Sequence, residues 1–133
     1  MIRYLLDTNA VSYIIRKAPV HFSARFESTH LNQSGISVVT EAELLFGLAR
    51  RPQAHVLAAM VHALLRKITI LPWTSDSAKV YAEIRASLEQ AGQPMDDMDM
   101  MIAAEALVQN AVLVTSDAAF RRIERLKVED WTI

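Results

Sequence analysis

Three aspartates lie within four residues at the start of one apolar segment, MDDMDMMIAAEA at positions 95–106. An acid in the first turn of a helix gains about 0.3–1 kcal/mol from the helix dipole and the unpaired N–H groups, and a single aspartate is enough for that purpose. At about 100° per residue, Asp99 falls near the line of Ala103, whereas Glu105 and Gln109 mark the face expected to be in water. We therefore expect the Asp99 carboxylate to face inward, where it needs a cation, hydrogen-bond donors or a proton.

Three further acids follow short apolar runs that are typical of buried strands. Asp7 comes directly after the first run, Glu43 lies in the first turn of the helix after the second run, and Asp117 follows the fourth run. Ligands of open parallel sheets bind beyond the carboxyl ends of the strands, so these acids and Asp99 are expected at one edge. Taken singly, each has a structural alternative: Asp7 and Asp117 as helix caps, and Glu43 as the third residue of a capping box with Thr40.

The order of apolar runs and helical patterns indicates an α/β protein. Strands that alternate with helices predict a three-layer α/β/α sandwich with a mainly parallel sheet of four or five strands. The length of 133 residues, without an internal repeat or linker, predicts a single domain over residues 1–133. The expected strands are Ile2–Leu6, Gly35–Val39, Ile68–Leu71 and Val112–Thr115, with Lys127–Thr132 as an edge strand; the expected helices run from Glu41 to Arg51, from Gln53 to Arg66, from a cap at Ser75 or Asp76 through Leu88, from Asp99 onward, and briefly around Phe120.

Composition excludes several classes of function. The chain has no cysteine, which rules out disulfides, zinc–thiolate sites, iron–sulfur clusters and thiol nucleophiles. Its 4 histidines show no metal-binding spacing. The N-terminus lacks the pattern of a signal peptide and no segment has the length of a membrane span, so a cytoplasmic protein without membrane contact is expected. The net charge of −1 does not indicate nucleic-acid binding, although pairs of basic residues are distributed along the chain.

Carboxylates that converge at one edge need a counterion. Without a cation, at least one of four neighbouring acids would have its pKa raised until it held a proton. Since the expected ligands are oxygen atoms only, the ion that fits is Mg²⁺ or Mn²⁺, which keeps part of its water and binds substrate phosphates. Such a site suits metal-assisted phosphoryl chemistry.

Four blocks of residues extend over nearly the whole chain, in the order Leu6–Asn9, Ser37–Gly47, Gly92–Ala104 and Leu113–Phe120. Together these blocks resemble the PIN-domain ribonucleases, and among them the VapC toxins of type II toxin–antitoxin pairs. The resemblance implies an acidic quartet that is both catalytic and metal-binding, with Asp7 and Asp99 foremost as direct ligands, and hydrogen bonds that orient these ligands. The implied quartet is Asp7, Glu43, Asp99 and Asp117, and the implied orienting residues are Asn9, Thr115 and Ser116.

The same resemblance implies a reaction, a substrate and partners. Family members hydrolyse structured RNA with a metal-activated water, commonly in transfer RNA and in some branches in the initiator tRNA. They form homodimers and are inhibited by a VapB antitoxin whose tail lies near the acids. Thr8 is expected only to begin a helix, and Gly47 to permit close helix packing. Expected phosphate contacts are Arg50, Arg51, Arg121 and Arg122; apolar residues available to a partner, with core packing as the alternative, are Leu44, Leu45, Phe46, Leu48, Val56, Leu57, Met60 and Leu64.

Three other functions compete with the nuclease. A phosphoacceptor receiver-like domain expects paired acids after strand one and a lysine after the last strand, but Thr8 and Asn9 follow Asp7 here. A phosphatase with an aspartyl nucleophile expects a second acid where Asn9 stands. The third alternative is a non-catalytic binding module that keeps the acids only as helix caps.

Overall fold

A five-stranded parallel sheet organises the chain. The computed structural model describes residues 1–133, and its strands follow the order β3-β2-β1-β4-β5 with every neighbouring pair parallel, so the expected α/β fold is confirmed. The strands are β1 Tyr4–Leu6, β2 Ser34–Ser37, β3 Thr69–Leu71, β4 Val112–Val114 and β5 Val128–Glu129; the α-helices are α1 Thr8–Arg16, α2 Val20–Glu27, α3 Val38–Ala49, α4 His55–Lys67, α5 Ser75–Gln90 and α6 Asp97–Val108; 3₁₀ turns cover Leu31–Gln33 and Ala118–Arg122.

The strand order places the start of the chain at the centre of the sheet. The chain moves outward from β1 to β2 and β3, and then crosses to the other side of β1 to form β4 and β5. The direction of winding therefore reverses between β1 and β4, and a crevice forms at such a point beyond the carboxyl ends of the two strands. Asp7 follows β1 directly, and its backbone N–H donates to the Val114 carbonyl oxygen at 3.2 Å. This bond joins the residue after β1 to the last residue of β4 at the edge of the crevice.

Side chains alternate between the two faces of β1 and connect two separate hydrophobic cores. Leu5 packs with the residues of α5 and α6. Tyr4 and Leu6 point to the opposite face, as the two-residue period of a strand requires, and pack with α1 and α2. On that face the ring centroids of Tyr4 and Trp131 are 5.0 Å apart in an edge-on arrangement. Both faces of the sheet are therefore covered, as the three-layer prediction requires.

The second strand and its helix begin earlier than the sequence predicted. Strand β2 ends at Ser37, and α3 already includes Val38 and Val39. The Ser37 hydroxyl accepts the backbone N–H of Val39 at 3.1 Å and so caps the helix. β-Branched valines favour a strand when they are considered singly, but this cap outweighs that preference. Similarly, Thr74 caps α5, one residue before the predicted cap.

Helix α6 has no face in water over most of its length. Five consecutive residues, Ile102 to Ala106, are each 0% exposed, because α3, α5 and β4 all pack against this helix. The prediction that Glu105 marks a solvated face is therefore wrong. The sequence also gave no indication of α2, in which only Phe22 is buried. No helix of the fold combines the length and the apolar character that crossing a bilayer requires.

Candidate active site

Asp7 is buried at the carboxyl end of the central strand. It is 4% exposed, and its Oδ1 accepts the Ala10 backbone N–H at 2.8 Å, which caps α1. Burial raises the pKa of this carboxyl; hydrogen bonds from Thr115 and the Ala10 N–H oppose the rise, while the charges of Asp117 and Glu43 add to it. One oxygen of Asp7 therefore caps helix α1, as the alternative interpretation of this residue predicted. The negative charges of two other acids of the predicted quartet also act on its carboxyl group.

Asp99 is half-buried in the first turn of α6. Its backbone N–H donates to Asp96 Oδ2 at 3.3 Å, because Asp96 caps the helix. Burial raises the pKa of the Asp99 carboxyl to about 6, and the charges of Asp96, Asp117, Glu43 and Asp7 contribute in that order. The inward orientation is in agreement with the prediction from helix periodicity. The remaining members of the quartet are close enough to Asp99 to act on its charge.

The three neighbouring aspartates that open α6 have different surroundings. Asp96 supplies the cap and is the like charge with the largest effect on Asp99. Asp97 instead lies on the surface, where its Oδ1 is 3.4 Å from Arg85 Nη1. Both partners of this ion pair are well exposed, so the pair contributes little to stability. Of the three, only Asp99 belongs to the predicted quartet, and Asp97 offers a matched control for it.

Glu43 is held by a residue whose role the sequence did not reveal. The Thr8 hydroxyl donates to Glu43 Oε1 at 2.5 Å, linking the start of α1 to α3. The predicted capping box with Thr40 is wrong, because Ser37 caps α3 and Thr40 is buried inside the helix. The prediction that Thr8 begins α1 is correct, but it is incomplete. Its position directly after Asp7 at a strand end was the available signal.

Asp117 is exposed and begins the 3₁₀ turn that follows β4. Its Oδ1 accepts the Ala119 N–H at 2.9 Å, and its own N–H donates to Thr115 Oγ1 at 3.0 Å. Of the predicted orienting residues, Thr115 therefore contacts the quartet. Ser116 does not, since its hydroxyl lies 3.0 Å from the Tyr13 hydroxyl. Asn9 is exposed and makes no side-chain hydrogen bond to the four acids.

No basic side chain of this protein neutralises the quartet. The ion pairs join Arg25 to Glu129, Arg85 to Glu89 and Asp97, and Arg125 to Glu83. None includes Asp7, Glu43, Asp99 or Asp117. Raised carboxyl pKa values in the absence of a paired cation are the electrostatic state that a divalent ion relieves.

The donor set fits a hydrated hard cation and not a cage made only of protein ligands. No group of three acidic or imidazole side chains is arranged to hold a metal ion. Mg²⁺ characteristically takes one or two carboxylates and completes its octahedron with water and substrate oxygens. Asp7 keeps one oxygen outside its cap, and no hydrogen bond occupies the side chain of Asp99. Carboxylate oxygens outside the helix caps are of the type that Mg²⁺ or Mn²⁺ binds.

The predicted phosphate-binding arginines divide into two groups. Arg50 and Arg51 line a cavity of about 310 Å³ that also includes Glu43. Arg121 and Arg122 lie in the 3₁₀ turn after Asp117, and Arg122 donates to the Pro94 carbonyl oxygen at 2.9 Å. Gly47 also lines the cavity. A Cβ placed on Gly47 would meet nothing within 4 Å, so the expectation of close helix packing is wrong.

Comparison with known families agrees with this geometry. A family model described as the PIN domain matches residues 4–126. The chain belongs to the PIN-domain family. Its relatives in this family include Ribonuclease VapC2 of Haemophilus influenzae, which is 30% identical over 98% of this chain and 99% of that protein. The tRNA(fMet)-specific endonuclease VapC of Shigella flexneri is 31% identical over 99% of this chain and 100% of that protein. The resemblance to VapC proteins is confirmed.

Solved structures of PIN-domain relatives have the same fold. A chain of VapBC2 from Rickettsia felis, bound to a DNA fragment from its promoter, superposes with a TM-score of 0.87 at 32% identity and covers 98% of this chain and 99% of that chain. A chain of DNA-bound VapBC from Salmonella typhimurium gives a TM-score of 0.90 at 30% identity with the same coverage. Membership of the PIN-domain family excludes the receiver-like and phosphatase alternatives.

Proposed function

We propose that this protein is a Mg²⁺- or Mn²⁺-dependent endoribonuclease and the toxin of a toxin–antitoxin pair. The observation that carries the proposal is the approach of Asp7, Glu43, Asp99 and Asp117 to one another without a paired cation. The names of the relatives, ribonuclease and tRNA(fMet)-specific endonuclease, support RNA as the substrate class. Structured RNA, with initiator tRNA as the first candidate, is therefore the proposed substrate, and its cleavage would inhibit translation and growth.

In the proposed site, Asp7 and Asp99 hold the ion, and Glu43 and Asp117 complete the negative lining. The bound ion supplies an activated water and neutralises charge on the scissile phosphate. Hydrolysis forms a bond from the water oxygen to phosphorus and breaks the bond from phosphorus to the 3′ oxygen. The products are a 3′-hydroxyl and a 5′-phosphate.

The protein's own residues contribute mainly by fixed positions. The Thr8 hydroxyl holds one oxygen of Glu43, which leaves the other oxygen to accept a proton or a hydrogen bond from the attacking water. Thr115 contributes a hydrogen bond to Asp7 and accepts the backbone N–H of Asp117, so a single side chain aligns two acids. Residues that orient metal ligands in this way typically affect metal affinity or activity by about 10–100-fold.

A VapB-type antitoxin is the proposed protein partner. Two of the structural neighbours are VapBC structures, and α3 and α4 expose large apolar side chains to solvent. Leu45 is 40% exposed, Phe46 61%, Val56 76% and Met60 39%. Exposed apolar residues grouped on neighbouring helices characteristically mark protein interfaces. We assign this surface to the antitoxin, and a homodimer remains an additional expectation.

The nuclease activity is tested by comparing two aspartates of α6. Initiator tRNA is incubated with the native protein, Asp99→Asn or Asp97→Asn, with Mn²⁺ or with EDTA, and new RNA 5′ ends are mapped. The native protein and Asp97→Asn should cleave at the same positions in Mn²⁺ only. Asp99→Asn should lower kcat/KM by about 10³-fold or more, equivalent to about 4 kcal/mol of transition-state stabilisation. Identical cleavage by Asp99→Asn would contradict the proposed role of this acid, and full cleavage in EDTA would contradict the proposed metal dependence. No cleavage by the native protein would favour a non-catalytic binding module.

A further inference from the structure

A cavity next to Glu43 has two chemically different walls. It opens between α1, α3 and α4 and has a volume of about 310 Å³. Leu48, Leu57 and Val61 are among the residues that form an apolar floor. Arg16 from α1 joins Arg50 and Arg51 around the same cavity. An apolar surface beside several guanidinium groups suits a ligand that is flat and apolar at one end and anionic at the other.

The three arginines are not paired with any carboxylate of the protein. No ion pair includes Arg16, Arg50 or Arg51, although Glu43 lines the same cavity. Aromatic rings hold two of them instead: the guanidinium carbon of Arg16 lies 5.2 Å from the Tyr13 ring centroid, and that of Arg50 lies 4.8 Å from the Phe46 centroid. Cation–π contacts position a guanidinium group and leave its N–H donors free. The cavity thus presents donors for an anion.

Gly47 keeps one wall of this cavity open. It lies within α3, where alanine would be the more favourable helix residue. Its backbone does not require glycine, since Gly92 is the glycine with a positive φ, and an added Cβ would meet nothing within 4 Å. Neither packing nor backbone conformation therefore accounts for a glycine here. The absence of a side chain leaves this wall of the cavity open to a ligand.

We propose that the cavity binds one nucleotide of the substrate RNA, adjacent to the nucleotide that is cleaved. The base lies over Gly47 against the apolar floor, and its phosphate meets Arg16, Arg50 and Arg51. Single-stranded RNA is recognised in this way, with unstacked bases placed on apolar or guanidinium surfaces and phosphates on basic side chains. The inference rests on the proposed nuclease function, because Glu43 belongs to both the cavity and the acidic quartet.

The favoured occupant is RNA and not a segment of the antitoxin. Three unpaired arginines beside a quartet of acids match a chain that carries a phosphate on every nucleotide. An apolar protein helix would leave these guanidinium groups buried without partners, which is costly. Arg121 and Arg122, on the other side of Asp117, are not part of this subsite.

The test fills the cavity and compares two substrates. Initiator tRNA requires the nucleotide subsite, whereas bis(p-nitrophenyl) phosphate presents only a small phosphodiester to the acids. Gly47→Met and the double variant Arg50→Gln/Arg51→Gln are assayed with Mn²⁺ beside Arg66→Gln, a control arginine of α4 that is exposed and makes no ion pair. We expect the ratio of kcat/KM for RNA to kcat/KM for the small diester to fall by about tenfold or more, mainly through KM for RNA. The double arginine variant should also lower the salt slope of RNA binding by about 1 per lost phosphate contact.

Several outcomes would overturn the inference. An unchanged ratio in both variants would show that RNA does not use the cavity. An equal loss with both substrates in a folded variant would place the effect in the acidic quartet. Loss of antitoxin binding at unchanged RNA cleavage would assign the cavity to the antitoxin. If Gly47→Met does not fold, the double arginine variant decides. A native protein that hydrolyses neither substrate in Mn²⁺ would refute the proposed function itself, which is a distinguishable result.

Discussion

Helix α6 carries two carboxyl groups with raised pKa values in very different surroundings. In both Asp99 and Glu105, burial is the largest cause of the rise. Asp99 is half-buried, and other acids raise its pKa further. Glu105 is 0% exposed and faces no like charge; its neighbour is Gln109, whose Nε2 donates to Oε2 at 3.3 Å, while Oε1 has no partner. Burial therefore raises the pKa of both residues, but only Asp99 has other carboxylates close to it.

This difference separates a candidate site from a buried polar residue. A single acid in an apolar core can meet its electrostatic cost by keeping its proton. If all four acids at the edge kept their protons, they could not act as metal ligands. A bound divalent cation instead stabilises the ionised carboxylates. A raised carboxyl pKa therefore does not identify an active site by itself. The number and the sign of the neighbouring charges make the distinction.

Metal binding should separate the two residues most strongly. At a free Mn²⁺ concentration of 100 times Kd, binding to the folded state adds about 2.7 kcal/mol to the free energy of unfolding. Native protein and Glu105→Gln should therefore show the same rise in Tm of several degrees by scanning calorimetry, and Asp99→Asn should show little or none. If Mn²⁺ raised the Tm of Asp99→Asn as much as that of the native protein, the ion would bind elsewhere, and Asp99 and Glu105 would not differ in metal binding.

Metal-free stability should depend on pH through Asp99. Its pKa moves from the ordinary 3.8 to about 6 on folding, so the folded state holds more protons between these values. The free energy of unfolding therefore falls as pH rises through that window, with Asp7 acting in the same direction. After allowance for solvent screening, Asp99 contributes on the order of 1 kcal/mol. Urea unfolding in EDTA between pH 4 and pH 7 measures this loss, which should be smaller in Asp99→Asn. A free energy of unfolding that rises with pH over the same range would contradict the electrostatic argument.

Glu105→Gln should have the smallest effect. Below the ordinary carboxyl pKa, the protonated acid and the amide are similar in size and charge, so the two proteins should have nearly equal stability. As pH rises, the native Glu105 must either remain protonated at a pH where a solvated carboxyl would ionise, or ionise while it is buried, and both lower the stability of the folded state. The glutamine variant should therefore become the more stable protein, by less than about 1 kcal/mol. The same unfolding series measures this difference. A glutamine variant that is less stable at pH 8 would show that the Glu105 charge has a favourable partner.

The sequence predicted the architecture because its strands are short apolar runs that end at polar residues. Asp7 follows β1 directly and Asp117 lies three residues after the end of β4, so the edge was predictable from topology. The boundaries of β2 and α3 were not, since the Ser37 cap competes with the strand preference of two valines. The orientation of Glu105 was unpredictable from periodicity, because tertiary packing surrounds α6 on several sides.

The interactions around the candidate site were less predictable than its acids. The bond from Thr8 to Glu43 joins residues 35 positions apart, and no local spacing encodes it. The different surroundings of Asp96, Asp97 and Asp99 depend on tertiary packing: Asp97 lies on the surface next to Arg85 of the preceding helix α5, and Asp96 caps α6. The catalytic roles of the quartet remain predictions until the substitutions are measured.

The central position of β1 also determines when the acidic edge can assemble during synthesis. Strand β1 leaves the ribosome before the other four strands, yet β4 is one of the two strands with which it pairs. Asp99 and Asp117 also come from the last part of the chain. A nascent polypeptide whose β4 has not yet left the ribosome therefore has neither a closed crevice nor the complete set of acids. The edge on which the proposed attack on RNA depends can therefore form only after β4 and Asp117 have been synthesised.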